Sequence, residues 1–290
     1  RSPPIGRSGA VVFAISGLDI ALWDIAAKRV GQPLYKLLGG SARASLPGYA
    51  SLLRYGDASV VARKTAEAIQ RGYRLIKLHE NKTEIVQAAK KACGDQVKLM
   101  VDCSCPWTVD EAIAMSREWS DMKLAWIEEP IYPPDDHAGL ARLRNVSTAP
   151  IAAGENISNF FEFKRLFEAG SVGIAQPSIT KVGGVTMMRK VMTLADSFGV
   201  TVVPHSAYFG PGLLASIHCI AAMGIPTLVE RYDAVFQEDH RAALRNALTA
   251  RADEYLVVSM NPFGIATFGS PDAPNFFGTP AAGTDINAWH

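Results

Sequence analysis

A (β/α) barrel is the fold class this chain predicts, and three observations carry it. Eight short apolar runs, at 47–52, 73–79, 97–103, 124–128, 150–155, 172–177, 200–205 and 227–231, recur with helix-length segments between them. The runs are continuous rather than alternating, as in Leu124-Ala125-Trp126-Ile127, which suits parallel strands buried on both faces. Three runs close on an acid, Asp102, Glu128 and Glu155, spaced 26 and 27 residues apart, roughly one strand-plus-helix unit. Eight strands with seven or eight intervening helices argue for a closed barrel over an open doubly wound sheet.

The elements follow in chain order. Segment 8–40 reads as a helix whose apolar face carries Ala14, Leu18, Ala21 and Ile25. Gly31 stops it, and Pro33 opens a short Leu-rich turn ending at Gly39-Gly40. Further helices are predicted at 57–71, 109–120, 158–169, 184–198 and 211–223. Gly183-Gly184 lacks the Lys-Ser/Thr of a phosphate cradle and reads as a tight strand-to-helix turn. From about Asn261 the chain is rich in Pro, Gly, Ala and Asn and loses periodicity, which predicts an irregular tail. The expected organisation is a helical segment at 1–44, a barrel at 45–235, and a C-terminal helix with an irregular tail at 236–290.

Composition narrows the partners. With 290 residues and 48% hydrophobic content the chain can bury one large core, and a net charge of +1 gives no electrostatic case for nucleic acid. No apolar stretch is expected to reach the roughly 18–20 residues of a membrane span, so no membrane partner is expected. Cys93, Cys103, Cys105 and Cys219 lack zinc spacing and read as reduced thiols of a cytoplasmic protein. The opening Arg1-Ser2-Pro3-Pro4 has no initiator Met and reads as part of a longer protein.

Chemistry in such a barrel stands at the carboxyl ends of the strands. Those ends carry Lys77 and His79, Asp102 and Ser104, Glu128, Glu155 and Asn156, Ser178, His205, and Glu230. Any one acid could be a helix cap or a surface ion pair. Three in register converge in the mouth and repel one another unless a cation lies between them, and a hard ion such as Mg²⁺ takes oxygen ligands. Lys77 and His79 are two apart and share a strand face. His137, His218, His240 and His290 have no such placement and read as structural.

At these positions the chain resembles the enolase superfamily, in its mandelate racemase/muconate-lactonising branch. The resemblance runs through Gly17-Leu18-Asp19-Ile20-Ala21-Leu22-Trp23-Asp24, Gly31-Gln32-Pro33-Leu34 to Leu38-Gly39-Gly40, Lys77-Leu78-His79 and Val101-Asp102. It continues through Trp126-Ile127-Glu128-Glu129-Pro130, Gly154-Glu155-Asn156, Gln176-Pro177-Ser178 to Lys181-Val182-Gly183-Gly184-Val185-Thr186, Pro204-His205-Ser206 and Val229-Glu230-Arg231. It implies a modified (β/α)7β barrel, with the N-terminal α+β capping domain of the family largely absent from this chain. It also implies Mg²⁺ on Asp102, Glu128 and Glu155, and a small-molecule carboxylate substrate chelating the metal beside Lys77. A base would then take the α-proton to give a metal-stabilised enediolate.

Glu230 matches the acid that hydrogen-bonds the second carboxylate oxygen, while Ser104, Asn156 and Ser178 would contact substrate. Two positions depart from the pattern. His79 stands where this branch often has a Lys base. Ser178 replaces the Asp or Lys of the sixth strand, so His205 is expected without a carboxylate partner there. The reading that follows is an acid-sugar dehydratase, making a 2-keto-3-deoxy acid. A racemase or epimerase of a 2-hydroxy acid and a truncated inactive barrel are the alternatives. A homo-oligomer is expected.

Overall fold

The eight runs form eight parallel strands: β1 Gly48–Ser51, β2 Leu75–Leu78, β3 Lys98–Asp102, β4 Ile127–Glu128, β5 Ile151–Ala153, β6 Ile174–Ala175, β7 Thr201–Val202 and β8 Val229–Arg231. The structure is a computed structural model and describes residues 8–40, 46–207, 210–223, 228–231, 258–261 and 264–267. Strand order is β7-β6-β5-β4-β3-β2-β1-β8, so the sheet curls until its last strand lies beside its first, as in a TIM-type barrel. Ser206 N–H, just past β7, donates to the Glu230 carboxylate on β8 at 2.8 Å and ties the seam between those strands.

Helices α1 Ala10–Arg29, α2 Leu34–Leu37, α3 Ala58–Gln70, α4 Thr83–Cys93, α5 Val109–Glu118, α6 His137–Arg144, α7 Phe160–Glu168, α8 Gly184–Ser197 and α9 Pro211–Met223 complete the described fold. Several begin at a side-chain oxygen that accepts an otherwise unpaired N–H. Asp57 caps α3, Thr108 and Glu111 form a capping box on α5, Asp136 caps α6 and Asn159 caps α7. Their apolar faces close over the sheet in one layer with Ile76, Val101, Leu143, Phe163 and Val185. A second cluster, Tyr49, Met100, Trp126, Ala152 and Val203, comes from the opposite strand face. Tyr49 is two residues before Ser51, Met100 two before Asp102 and Trp126 two before Glu128, so this cluster is the floor beneath the acids.

Helix α1 corrects two expectations. Its 20 residues are long and apolar enough, by length and composition, to cross a membrane. The face assigned to the core is also the wrong one: Ala14, Leu18, Ala21 and Ile25 are exposed, while Val12, Ser16, Ile20, Asp24 and Ala27 are buried. A helix apolar on nearly every side has no periodicity to read, and its polar groups decide the docking. Ser16 Oγ accepts Gly183 N–H at 2.9 Å, Asp19 Oδ1 accepts Thr186 N–H at 2.9 Å, and Trp23 Nε1 donates to Thr186 Oγ1 at 2.8 Å. The tight turn read at Gly183-Gly184 makes this possible. Gly184 has φ 75°, and a Cβ there would lie 2.4 Å from Asp19 Oδ1.

The tail also differs from expectation. Val258–Asn261 (β9) and Gly264–Thr267 (β10) pair as an antiparallel hairpin, with β10 against α1 and α9. Only Val258, Ile265 and Thr267 in them are β-branched, so a compositional reading overlooks the pairing. The remainder of 236–290 lies outside the described residues.

Candidate active site

Ends of β2, β3, β4 and β8 bring four charged groups together on the floor just described. Lys77 is fully buried, with Nζ 2.7 Å from Glu128 Oε1, 2.8 Å from Glu230 Oε1 and 3.7 Å from Asp102 Oδ2. A lone ammonium here would be costly to desolvate, and burial does pull its pKa down. Glu128 and Glu230 outweigh that and hold it well above the ordinary lysine value. Glu230 is kept at about 2, because Lys77 and His205 outweigh its burial. Its Oε1 also accepts Ser51 Oγ–H at 2.9 Å, from the end of β1. Burial pushes Glu128 up to about 7 in the metal-free protein despite Lys77. Its other oxygen accepts Trp126 Nε1–H at 2.9 Å.

Asp102, Glu128 and Glu155 each offer a carboxylate oxygen, and these atoms lie within 4.8 Å of one another. Three anionic oxygens at this spacing, two of the residues buried, are a donor set for a hard divalent cation. Basic side chains lie against the same carboxylates. His79 Nε2 is 3.2 Å from Asp102 Oδ2, His205 Nε2 is 2.9 Å from Glu155 Oε2, and Lys181 Nζ is 3.9 Å from Glu155 Oε1. Burial opposes each charge, yet the partners win. Asp102 is lowered through His79, Glu155 is lowered to about 2 chiefly through His205, and both histidines are raised above their ordinary range.

The cavity over this cluster is about 180 Å³, lined by His79, Asp102, Ser104, Cys105, Glu129, Glu155, Asn156, His205 and Ala207. Of the substrate contacts expected from sequence, Ser104 and Asn156 line it. Ser104 also braces Asp102, its N–H 2.9 Å from Oδ1. Ser178 does not line it. This serine is buried on the β6 side, paired in register with His205, its Oγ 3.4 Å from Thr180 Oγ1. His205 was expected to lack a carboxylate at that position, and it takes Glu155 instead.

Five residues were missed by the sequence reading. Ser51 is signalled by its place at the end of β1. Glu129 and Cys105 directly follow residues already singled out. Lys181 lies in the turn before α8. Arg54 belongs with them: it donates from Nε to His79 O at 2.9 Å and from Nη2 to Cys103 O at 3.2 Å, joining the loops after β1, β2 and β3.

The barrel thus gathers three carboxylates from successive strand ends beside a Lys-x-His, a donor set for a divalent cation with an imidazole next to it. The chain belongs to the enolase superfamily, in its mandelate racemase/muconate-lactonising branch: the Enolase C-terminal domain-like family matches residues 60–262, and the Mandelate racemase / muconate lactonizing enzyme N-terminal domain matches residues 7–39. It is 34% identical over 235 residues to the 3,6-anhydro-alpha-L-galactonate cycloisomerase of Streptomyces coelicolor, covering 78% of this chain and 63% of that one. The crystal structure of the 3,6-anhydro-D-galactonate cycloisomerase from Zobellia galactanivorans is similar at TM-score 0.75 and 30% identity, over 95% of this chain and 75% of that one. The L-talarate dehydratase from Polaromonas sp. JS666, solved with Mg and L-glucarate, is similar at TM-score 0.72 and 32% identity, over 80% and 65%. The chain spans 51–63% of the length of the first curated relatives it matches.

Proposed function

We propose that this site abstracts the α-proton of a hydroxy-carboxylate and expels a β-hydroxyl, dehydrating a sugar acid to a 2-keto-3-deoxy acid. Asp102, Glu128 and Glu155 would hold one Mg²⁺, which supplies positive charge at the substrate carboxylate, where the α-proton's electrons are received. The carrying observation is the set of His79. Its Nδ1–H donates to the Leu52 carbonyl, which can only accept, so Nε2 is the basic nitrogen. That same Nε2 faces the triad through Asp102. Histidine titrates near neutrality and serves as base without the strongly lowered pKa a lysine needs. Lys77 keeps net charge low beneath the carboxylates. His205, which lines the same cavity, is placed to give a proton to the departing hydroxyl. The L-talarate dehydratase relative, crystallised with Mg and L-glucarate, supports the substrate class.

A screen of acid sugars in deuterated buffer tests this. Formation of a 2-keto product supports dehydration. Deuterium incorporation with inversion and no ketone would replace it with racemisation. Neither, in protein shown to bind Mg²⁺, would favour an inactive barrel.

A further inference from the structure

We infer that Glu129, the residue after the metal ligand Glu128, is a positioning residue that fixes the spacing of all three carboxylates. This rests on the reading of Asp102, Glu128 and Glu155 as the Mg²⁺ site. Glu129 is 4% exposed and, from its place just after β4, reaches the loops after β3 and β5 at once. Its Oε1 accepts Gly154 N–H at 3.0 Å, immediately before Glu155. Its Oε2 accepts the Cys105 thiol at 3.2 Å, and its backbone carbonyl accepts Cys105 N–H at 2.6 Å. Cys105 follows Ser104, whose N–H and hydroxyl both turn onto Asp102 Oδ1. One side chain therefore links the segments that present Asp102, Glu128 and Glu155.

Backbone strain marks the same place independently. Among the described residues four non-glycine residues have positive φ, and three of them are Ser104 at 60°, Cys105 at 53° and Glu129 at 44°. Such conformations persist where surrounding contacts over-determine them, and they gather at sites whose geometry matters. Gly154, at φ 128°, completes the bracket. A Cβ there would press on Phe163 at 3.0 Å, so its N–H is delivered to Glu129 by a backbone that other residues would strain. Carboxylates that orient metal ligands in this way commonly carry a tenfold or greater share of metal affinity.

Titration calorimetry with Mg²⁺ alone, on the wild type and on Glu129→Ala, Glu129→Gln, Cys105→Ala and Glu155→Gln, tests the inference, with melting of each metal-free protein alongside. Glu129→Ala is expected to weaken Mg²⁺ binding by about 10- to 100-fold, the usual cost of losing a group that orients a ligand. Glu129→Gln should recover most of it, because its amide oxygen still accepts Gly154 N–H. Cys105→Ala, which breaks one arm, should weaken binding several-fold. A purely structural Glu129 would lower the metal-free melting temperature and leave the affinity of the folded protein alone, and wild-type affinity in Glu129→Ala overturns the proposal. If Glu129→Ala does not fold, unchanged affinity in Cys105→Ala overturns it. Loss of binding in Glu155→Gln isolates the metal site itself. A wild type that binds no Mg²⁺ refutes that site and this inference with it.

Discussion

His79 and His205 face one cavity from different strands, and they are held in different ways. On β2, His79 is fixed at both nitrogens, by the Leu52 carbonyl behind it and Asp102 before it. Just past β7, His205 is buried at 3% exposure, and its Nε2 pairs with Glu155, one of the carboxylates proposed to hold the metal. The backbone carbonyl holds the His79 tautomer whatever a cation does, whereas Asp102 and Glu155, which face the two Nε2 atoms, are both carboxylates a cation would claim. Both histidines are raised in pKa, and the proposal gives them unlike work. In the proposed reaction His79 would be the base of fixed orientation and His205 the proton donor.

The largest effect expected from that difference is at His79. His79→Asn should lose α-proton exchange and product formation together, by about two to four orders of magnitude, the contribution of a positioned base. Deuterium exchange into substrate measures it, and retained exchange would transfer the base role elsewhere. His205→Asn should slow dehydration by about a hundredfold, at the low end of that range, while exchange stays measurable. Equal loss of exchange in both variants would erase the distinction and favour a two-base, racemase-like site.

A smaller effect concerns stability, and its sign follows from the acids. Glu128 and Glu129, pushed by burial to about 7 from an ordinary 4.5, bind more protons folded than unfolded between those values. Metal-free protein should therefore lose stability as pH rises through that window. Both histidines, raised above 6.5, extend the loss to higher pH. Glu155 and Glu230, lowered to about 2, act in the opposite sense, their contribution full above 4.5 and lost as pH falls toward 2. Thermal melts without metal should peak near pH 5. Mg²⁺, which binds the ionised carboxylates, should raise the melting temperature more at pH 8 than at pH 5.5. A pH-independent Mg²⁺ effect would mean the triad is ionised throughout.

Much of this was legible in the sequence because barrels advertise themselves locally. Continuous apolar runs gave the strands, and acids closing three of them gave the triad, since parallel strands present their carboxyl ends together. Lys77 and His79 followed from the two-residue period. Less legible were contacts that exist only across loops. Nothing in the spacing of Ser51, Arg54 or Lys181 shows that they meet Glu230, the His79 carbonyl or Glu155. Glu129 is hidden by its neighbour, because strand alternation would turn it away from the mouth, and a backbone at φ 44° turns it back. Helix α1 failed for the converse reason. Its apolar residues lie on nearly every side, so no face stands out until Ser16 and Asp19 find the turn before α8.

The smallest expected effect addresses Ser178, where the chain departs from its family. Ser178 and His205 pair in register across β6 and β7, and both are buried, so Ser178→Asp would place a second carboxylate beside the imidazole already paired with Glu155. The added negative charge should raise the His205 pKa further, since it favours the imidazolium. It should also keep that charge in place when Mg²⁺ takes Glu155, making His205 less dependent on the state of the metal site. NMR titration of the imidazole with and without Mg²⁺ reads both effects. In the wild type the metal should lower the His205 pKa, and in Ser178→Asp it should lower it less. An identical response in the two proteins would mean that the side chains do not meet. His205 would then owe its charge to Glu155 and Glu230, with nothing added by the residue at 178.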